Sequence, residues 1–540
     1  MEPLSQLPFQ AGELTATIPL AIPAVCGLLC LALDLIPRRR GERGGSAALG
    51  DGGSAAGLGL LSFTGALLAA LACLALWGGD VERVLVAGTI SVSRFSSTLA
   101  LGVLMATGLI SLASMHHGQA AFSRAHEEGS TIAHGELFAL LQFATCGMLA
   151  LLVANDLLTL FVAIEILSIA VYCLTGIDRR RSRSAEGAMK YFVLGAFASG
   201  FLLYGISLLY GATHSMRLDA IAAMHFQGGS SLALTGGVLL MVGLLFKVGA
   251  VPFHAWTPDA YEGAPTACTG FMSVAVKVAA FGAALRVVSA LGESGALGPA
   301  GAWLLWLVAG VTVVVGNAGA LTQRNPRRLL AYSSIAHTGY VLVGLVALAR
   351  FWDQSQAGAD GVAASAALLG SGQDAVAGVI FYLLGYGASN LAAFAVLCHL
   401  ERRGEEVEDL SDLAGLARTQ PGVALAMTLA MISLAGIPCT AGFLGKLWVF
   451  RSAMASGDRG LVVIALATSV MSLFYYLRVV VVMYMQEPKG GEVTSIEADR
   501  TRWGSRLSLG AAAALVVLLG VWPGERLLGM IAQGARALLP

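Results

Sequence analysis

An apolar run of about twenty residues recurs fourteen times along this chain, near 15–36, 56–77, 95–115, 136–154, 157–177, 187–211, 233–255, 266–291, 301–322, 328–350, 375–400, 420–455, 459–486 and 506–529. Each run is long enough to cross ~30 Å of hydrocarbon. A bilayer core offers no water to an open backbone, so a crossing segment closes its hydrogen bonds within a helix or a barrel. The runs lack the alternation of a barrel strand and predict helices. Composition agrees, with 12% of residues charged against roughly 25% in soluble domains. The expected fold class is an all-α polytopic membrane protein with about fourteen transmembrane helices. Net charge is zero, which leaves no electrostatic footprint for nucleic acid.

Sidedness follows from the basic residues of the loops. With Arg38, Arg39, Arg40 and Arg43 cytoplasmic, alternation of the spans puts 19 Lys and Arg residues on that side and 8 on the other. The cluster Arg179, Arg180, Arg181 and Arg183 then falls on the cytoplasmic side as well, and both termini fall on the opposite side. The first fourteen residues hold two acids and no base, unlike a secretory signal. The eight cysteines, at 26, 30, 73, 146, 173, 268, 398 and 439, read as small core residues. The Gly-, Ala- and Ser-rich stretches 41–56 and 352–374 are expected to be flexible loops.

Two spans look interrupted. One reads FKVGAVPFHAWTP over 246–258, the other LAGIPCTAGFLGK over 434–446. Each combines a Gly/Pro break with a nearby lysine, and about five helices separate them. Matched breaks of this kind are the sequence trace of inverted-repeat transporters, in which half-helix ends face a buried site. The expected organisation is three N-terminal helices in 1–135, a first repeat in 136–291, a second in 301–486, and a loop with the last helix in 487–540. Each of the two inverted five-helix repeats would hold one broken helix.

Only five lysines occur in the chain, and four of them, Lys190, Lys247, Lys277 and Lys446, lie in the spans. Of 28 arginines only Arg286 and Arg478 do. Arginine keeps its proton in proteins, whereas a desolvated lysine can exchange one near neutral pH. A central lysine costs roughly 2.5–3.5 kcal/mol on insertion scales, so four of them in apolar spans point to proton handling. Lys277 is too deep to reach the surface, Lys247 and Lys446 flank the breaks, and Lys190 is shallow enough to snorkel.

Glu165 is the one carboxylate deep in an apolar run, and a neighbouring ammonium would set its protonation. His337 in SSIAHTGY and His254 beside Pro252 can relay protons or sit as satisfied core residues. Arg286 and Arg478 lie nearer span ends and read as snorkelling or paired. Glu136 and Asp156 stand at predicted helix ends, where capping is the simpler role. No phosphate loop, cysteine cluster or haem-spaced histidine pair is present, so the driving force for pumping is expected from a partner or an ion gradient. The residues alone thus describe a proton-handling membrane bundle, with a structural scaffold of ion-paired lysines as the competing reading.

At these residues the sequence resembles the antiporter-like membrane subunits of respiratory complex I and of multi-subunit cation/proton antiporters. The matching stretches run from Asn155 to Tyr172 around Glu165, through KVGAVPFHAWTPDAYEGAPT, Lys277 and SSIAHTGY, to GIPCTAGFLGKLWVF, spanning about 155–450. The resemblance implies that Glu165, Lys190, Lys247, Lys277 and Lys446 line a proton path, to which His254 and His337 are added as candidates on their own chemistry. Within the family, a lysine at 446 and the short stretch after 529 favour the N type over the M and L types. It implies a coupled pump in a bacterial inner membrane, partnered by other complex I membrane subunits. NADH, FMN, iron–sulfur clusters and quinone are expected in those other subunits and no cofactor in this chain. A sodium/proton antiporter or membrane-bound hydrogenase subunit is the alternative within the family.

Overall fold

The computed structural model describes residues 11–35, 50–77, 83–115, 134–178, 181–226, 230–357, 362–401, 407–487 and 503–539. The N-terminal helices are α1 (Ala11–Leu35), α2 (Gly50–Trp77) and α3 (Arg94–Ser114), with a short antiparallel hairpin, β1 (Arg83–Leu85) and β2 (Ile90–Val92), between the last two. Next come α4 (His134–Val153), α5 (Leu157–Thr175), α6 (Ser182–Thr213), α7 (Ser231–Val248) and α8 (Trp256–Gly263). Thr266–Glu293 form α9, which contains a π-helical turn at Met272–Val276. They are followed by α10 (Gly298–Leu321), α11 (Pro326–Gln356), α12 (Val362–Leu400), α13 (Pro421–Ala435), α14 (Ala441–Ala455), α15 (Arg459–Met485), α16 (Trp503–Val521) and α17 (Glu525–Leu538).

Thirteen helices among the described residues are long and apolar enough to cross a membrane. The fourteenth expected crossing is the pair α13/α14: fifteen residues of helix rise only ~22 Å, so neither half spans alone. The chain is a multi-pass membrane protein. Burial sorts the helices into an inner and an outer set. All of the most apolar window of α9 is buried, and 94% of those of α11 and α12, but only 33% of those of α1 and α6. The outer helices present Phe192, Phe197, Val463, Val470 and Phe474 outward, an apolar surface that suits lipid and not water.

The hairpin is held by a buried cation. Arg286, on α9, donates to the carbonyls of Ser91 (3.1 Å) and Ala154 (3.3 Å). Arg478, on α15, donates to the carbonyls of Leu321 and Gln323 at the end of α10, where a positive charge complements the helix dipole. Both arginines are therefore paired with main-chain carbonyls. Asp156 caps α5 by accepting from the Leu158 and Thr159 amides, as its position at a helix start suggested.

Three expectations are corrected. Much of 352–374 is helical, because α11 runs to Gln356 and α12 begins at Val362; the alanines that make this stretch look low in complexity are the best helix formers. Likewise α2 already begins at Gly50, while 41–49 lies outside the described residues. The last apolar run is not one helix: α16 ends at Val521, and after Pro523 and Gly524 (φ +71°) a separate amphipathic helix, α17, packs on α3 and α12. Cys173 and Cys439 are exposed and Cys146 is intermediate, while the other five cysteines are buried. In a bilayer an apolar residue is as well placed against lipid as against protein, so an apolar run does not fix which way a cysteine faces. Arg38, Arg39, Arg40, Arg43, Arg179 and Arg180, which carry much of the sidedness argument, lie outside the described residues.

Candidate proton path

Both breaks are built the same way. Gly249 (φ +72°) ends α7 and Gly436 (φ +84°) ends α13. In each, the glycine amide and the next amide turn back onto the last helical turn: Gly249 N to Phe246 O and Ala250 N to Leu245 O, Gly436 N to Ser433 O and Ile437 N to Ile432 O. This is the left-handed glycine cap that an L residue resists. The carbonyls freed at the first break take donors from other helices, with Thr338 Oγ1 on Val248 O (2.7 Å) and Trp256 Nε1 on Phe246 O (3.1 Å). The second break is served by the lysine beside it. Lys446 Nζ donates to Leu434 O (3.2 Å), Ala435 O (2.9 Å) and Ser469 Oγ (2.9 Å).

Lys247, Lys277 and Lys446 are 3%, 4% and 5% exposed, and no ion pair among the described residues includes any of them. Their ammonium groups rest on hydroxyls, carbonyls and aromatic faces. Lys247 donates to Tyr172 Oη (3.0 Å) and lies 4.8 Å from that ring's centroid and 5.4 Å from Tyr191's. Lys277 follows the π-helical turn of α9 and donates to Ser334 O (2.5 Å) and Thr338 Oγ1 (2.7 Å), below the ring of Tyr386. Lys446 lies 4.9 Å from the ring centroid of Tyr340.

His337 shares α11 with Ser334 and Thr338, the acceptors of Lys277. Its Nδ1 shares a hydrogen bond with Tyr382 Oη (2.7 Å) and its Nε2 with Tyr476 Oη (3.0 Å), which in turn is bonded to Ser333. Tyr386 donates to Ser334 Oγ (2.9 Å), and Asn390 donates to Ser273 Oγ (2.6 Å) in the π-helical turn. On the far side Tyr340 and Tyr475 meet on Asn317, at 3.1 and 3.0 Å. A polar seam therefore runs through an apolar bundle from α7 to α15.

The remaining expected residues sit apart from this seam. Glu165 is partly buried and accepts from Ser199 Oγ (2.5 Å). Lys190 does not meet it. Its side chain is 44% exposed and pairs with Glu186 (2.6 Å) and Asp259 (2.7 Å), in a cluster that continues through Arg328 to Glu262. His254 lies between α7 and α8, partly buried, with Nδ1 unpartnered. A crevice of about 560 Å³ opens among α1, α4, α5 and α6, with Glu136, Phe143 and Phe192 in its walls and Tyr172 reaching it from the seam. Among the described residues no group of three His, Cys, Asp or Glu side chains is placed to hold a metal ion.

Sequence reading missed the hydroxyls and amides of the seam. Their signal was present as polar residues at helical spacing within apolar runs: Tyr382, Tyr386, Ser389 and Asn390 on α12, and Thr468, Ser472, Tyr475 and Tyr476 on α15. Offsets of four, seven and eight residues fall on one helix face.

Residues 154–360 and 354–472 match the family model described as NADH:quinone oxidoreductase/Mrp antiporter, TM. A relative from Myxococcus xanthus, named NADH-quinone oxidoreductase subunit N, is 43% identical over 457 residues, covering 82% of this chain and 84% of the relative. The chain belongs to the subunit N family of NADH-quinone oxidoreductase. Among solved structures, a chain of respiratory complex I from Thermus thermophilus is 32% identical with a TM-score of 0.71, covering 94% of this chain and 98% of that one. A chain of the Mrp complex from a Dietzia species, 21% identical with a TM-score of 0.70 and covering 98% of this chain and 100% of that one, shares the fold alone. Subunit N membership makes this an antiporter-like, proton-translocating membrane subunit of a multi-subunit oxidoreductase, with other complex I subunits as its partners.

Proposed function

We propose that protons cross this subunit along Lys247, Lys277, His337 and Lys446, driven by quinone reduction elsewhere in the assembly. The observation that carries the reading is that three buried lysines have no carboxylate partner among the described residues and rest on hydroxyls, carbonyls and aromatic faces, with His337 bonded to two tyrosines among the same helices. A structural ion pair offsets its desolvation with an opposite charge; these lysines have only neutral acceptors, and each has at least one hydroxyl, a group that can both accept and donate a proton. Glu165, Lys190 and His254 belong to the path in this reading as well, outside the buried row. NADH, FMN, iron–sulfur clusters and quinone belong to other subunits in this reading, and no cofactor to this chain. The two broken helices fit two inverted repeats, 136–291 and 301–486, preceded by three helices in 1–135 and followed by the last in 487–540. The membrane is the bacterial inner membrane, with both termini on its periplasmic side.

The test is Lys247→Met in the assembled complex, with NADH oxidation and acidification measured together in inverted membrane vesicles. Acidification is expected to collapse, with oxidation slowed or not. Normal oxidation with a normal proton yield would remove Lys247 from the path.

A further inference from the structure

Tyr172 is unlike the other hydroxyls of the seam. It supplies the one hydrogen bond that Lys247 Nζ makes among the described residues, whereas Lys277 has two acceptors and Lys446 three. It also lies on the same face of α5 as Glu165: Glu165, Ser168 and Tyr172 stand three and seven residues apart. Glu165 in turn accepts from Ser199, four residues beyond Gly195 on α6. Tyr172 therefore shares a helix face with Glu165 and is bonded to the first lysine of the buried row.

A second observation comes from α6. A Cβ added at Gly195 would overlap the Tyr172 hydroxyl, so that glycine leaves the space the hydroxyl occupies. The ring is fixed from other sides by edge-on contacts with Tyr191 (4.6 Å) and Phe192 (5.8 Å), and Tyr191 is stacked on Trp256 at 4.0 Å. The ring position is thus set by α6 and α8, and the oxygen is aimed at the amine on α7.

We infer that Tyr172 is a positioning residue for proton transfer, holding the Lys247 ammonium on the Glu165 side of the break, and that Gly195 is the space that permits it. The inference rests on the proposed path through Lys247. Tyrosine stays neutral throughout and no covalent bond other than the N–H of the migrating proton is involved. When Lys247 gives its proton onward, the hydroxyl can turn to donate to the neutral amine, so the same contact serves both charge states.

The experiment compares Tyr172→Phe, Tyr172→His and Gly195→Ala with Lys247→Met in the full complex, reading protons moved per NADH oxidised in vesicles with matched assembly. Tyr172→Phe keeps the ring contacts and removes only the oxygen; its proton yield is expected to fall on the order of tenfold, the scale of one hydrogen bond to a charged group. Gly195→Ala, which displaces the hydroxyl without altering residue 172, is expected to lower the yield in the same direction. Tyr172→His, which restores a hydrogen-bonding ring, is expected to recover part of it. A merely structural tyrosine would lower the amount of assembled complex and leave the yield per NADH unchanged. Normal yield in Tyr172→Phe, or in Gly195→Ala should the Phe variant not assemble, overturns the inference if Lys247→Met has lost its yield. Normal yield in Lys247→Met removes Lys247 from the path, and with it the ground of this inference.

Discussion

Lys446 donates to the Ala435 carbonyl at 2.9 Å, across the break in its own span. The amine therefore has two tasks, capping α13 and carrying charge, and substitution can part them. Lys446→Met leaves the carbonyls of Leu434 and Ala435 without this donor and is expected to cost about 1–3 kcal/mol of stability along with proton transfer. Lys446→Arg retains a donor that cannot give up its proton. It is expected to keep more of the thermal stability than the methionine variant while losing acidification as fully. Unfolding midpoints in detergent and vesicle acidification check the two halves.

Thr338 links the first break to the central lysine. Its hydroxyl donates to Val248 O and accepts from Lys277 Nζ, both at 2.7 Å. Thr338→Val keeps the shape, strands a buried carbonyl and removes one of the two acceptors of Lys277. A loss of about 2 kcal/mol and a clear fall in acidification are expected, with Thr338→Ser close to the native protein in both measurements.

Lys190 and Lys277 are predicted to differ in stability terms. The pairs that Lys190 makes with Glu186 and Asp259 are half open to solvent, and such exposed pairs contribute little and are screened by salt. Lys190→Ala is therefore expected to move the unfolding midpoint little, and less still at high salt. Lys277→Ala empties a fully enclosed site and is expected to move it more, with little dependence on salt.

Asp458 precedes α15 outside the membrane span, 8% exposed, with Oδ2 unpartnered. Burial pushes its carboxyl above the ordinary carboxylate range, although the Arg350 guanidinium at 3.5 Å pulls it back. A carboxyl whose proton is held more tightly in the folded state than in the unfolded one loses stability as pH rises through its range. Asp458→Asn removes that dependence. Its unfolding midpoint relative to the native protein is expected to rise between about pH 4 and pH 7, with the two closest at the acid end. A difference that stays flat with pH would count against the burial argument.

Much of this architecture was legible in the chain. The crossings follow from run length, because ~30 Å of hydrocarbon sets a minimum helix, and thirteen of the fourteen expected are single helices among the described residues. The breaks were visible as Gly/Pro pairs, and Lys247, Lys277 and Lys446 as charges too costly to keep idle. The split at Pro523 and Gly524 was less legible, since an amphipathic helix lying on the bundle has too little apolar length to register as a span and too much to read as a loop. The hydroxyls of α12 and α15 were passed over because a lone tyrosine or serine carries no insertion penalty comparable to a charge.

The sequence by itself determined the solvent, the number of crossings, the two broken helices and the segregation of lysine from arginine, since each is a property of local run length, backbone freedom or charge cost. Tertiary structure alone decided the partners: Lys190 turns out to Asp259 and not to Glu165, Tyr172 meets Lys247, and His337 sits between Tyr382 and Tyr476. Those contacts join residues 45 to 139 positions apart, and a helix's own periodicity says which face is polar without saying which neighbouring helix that face will find.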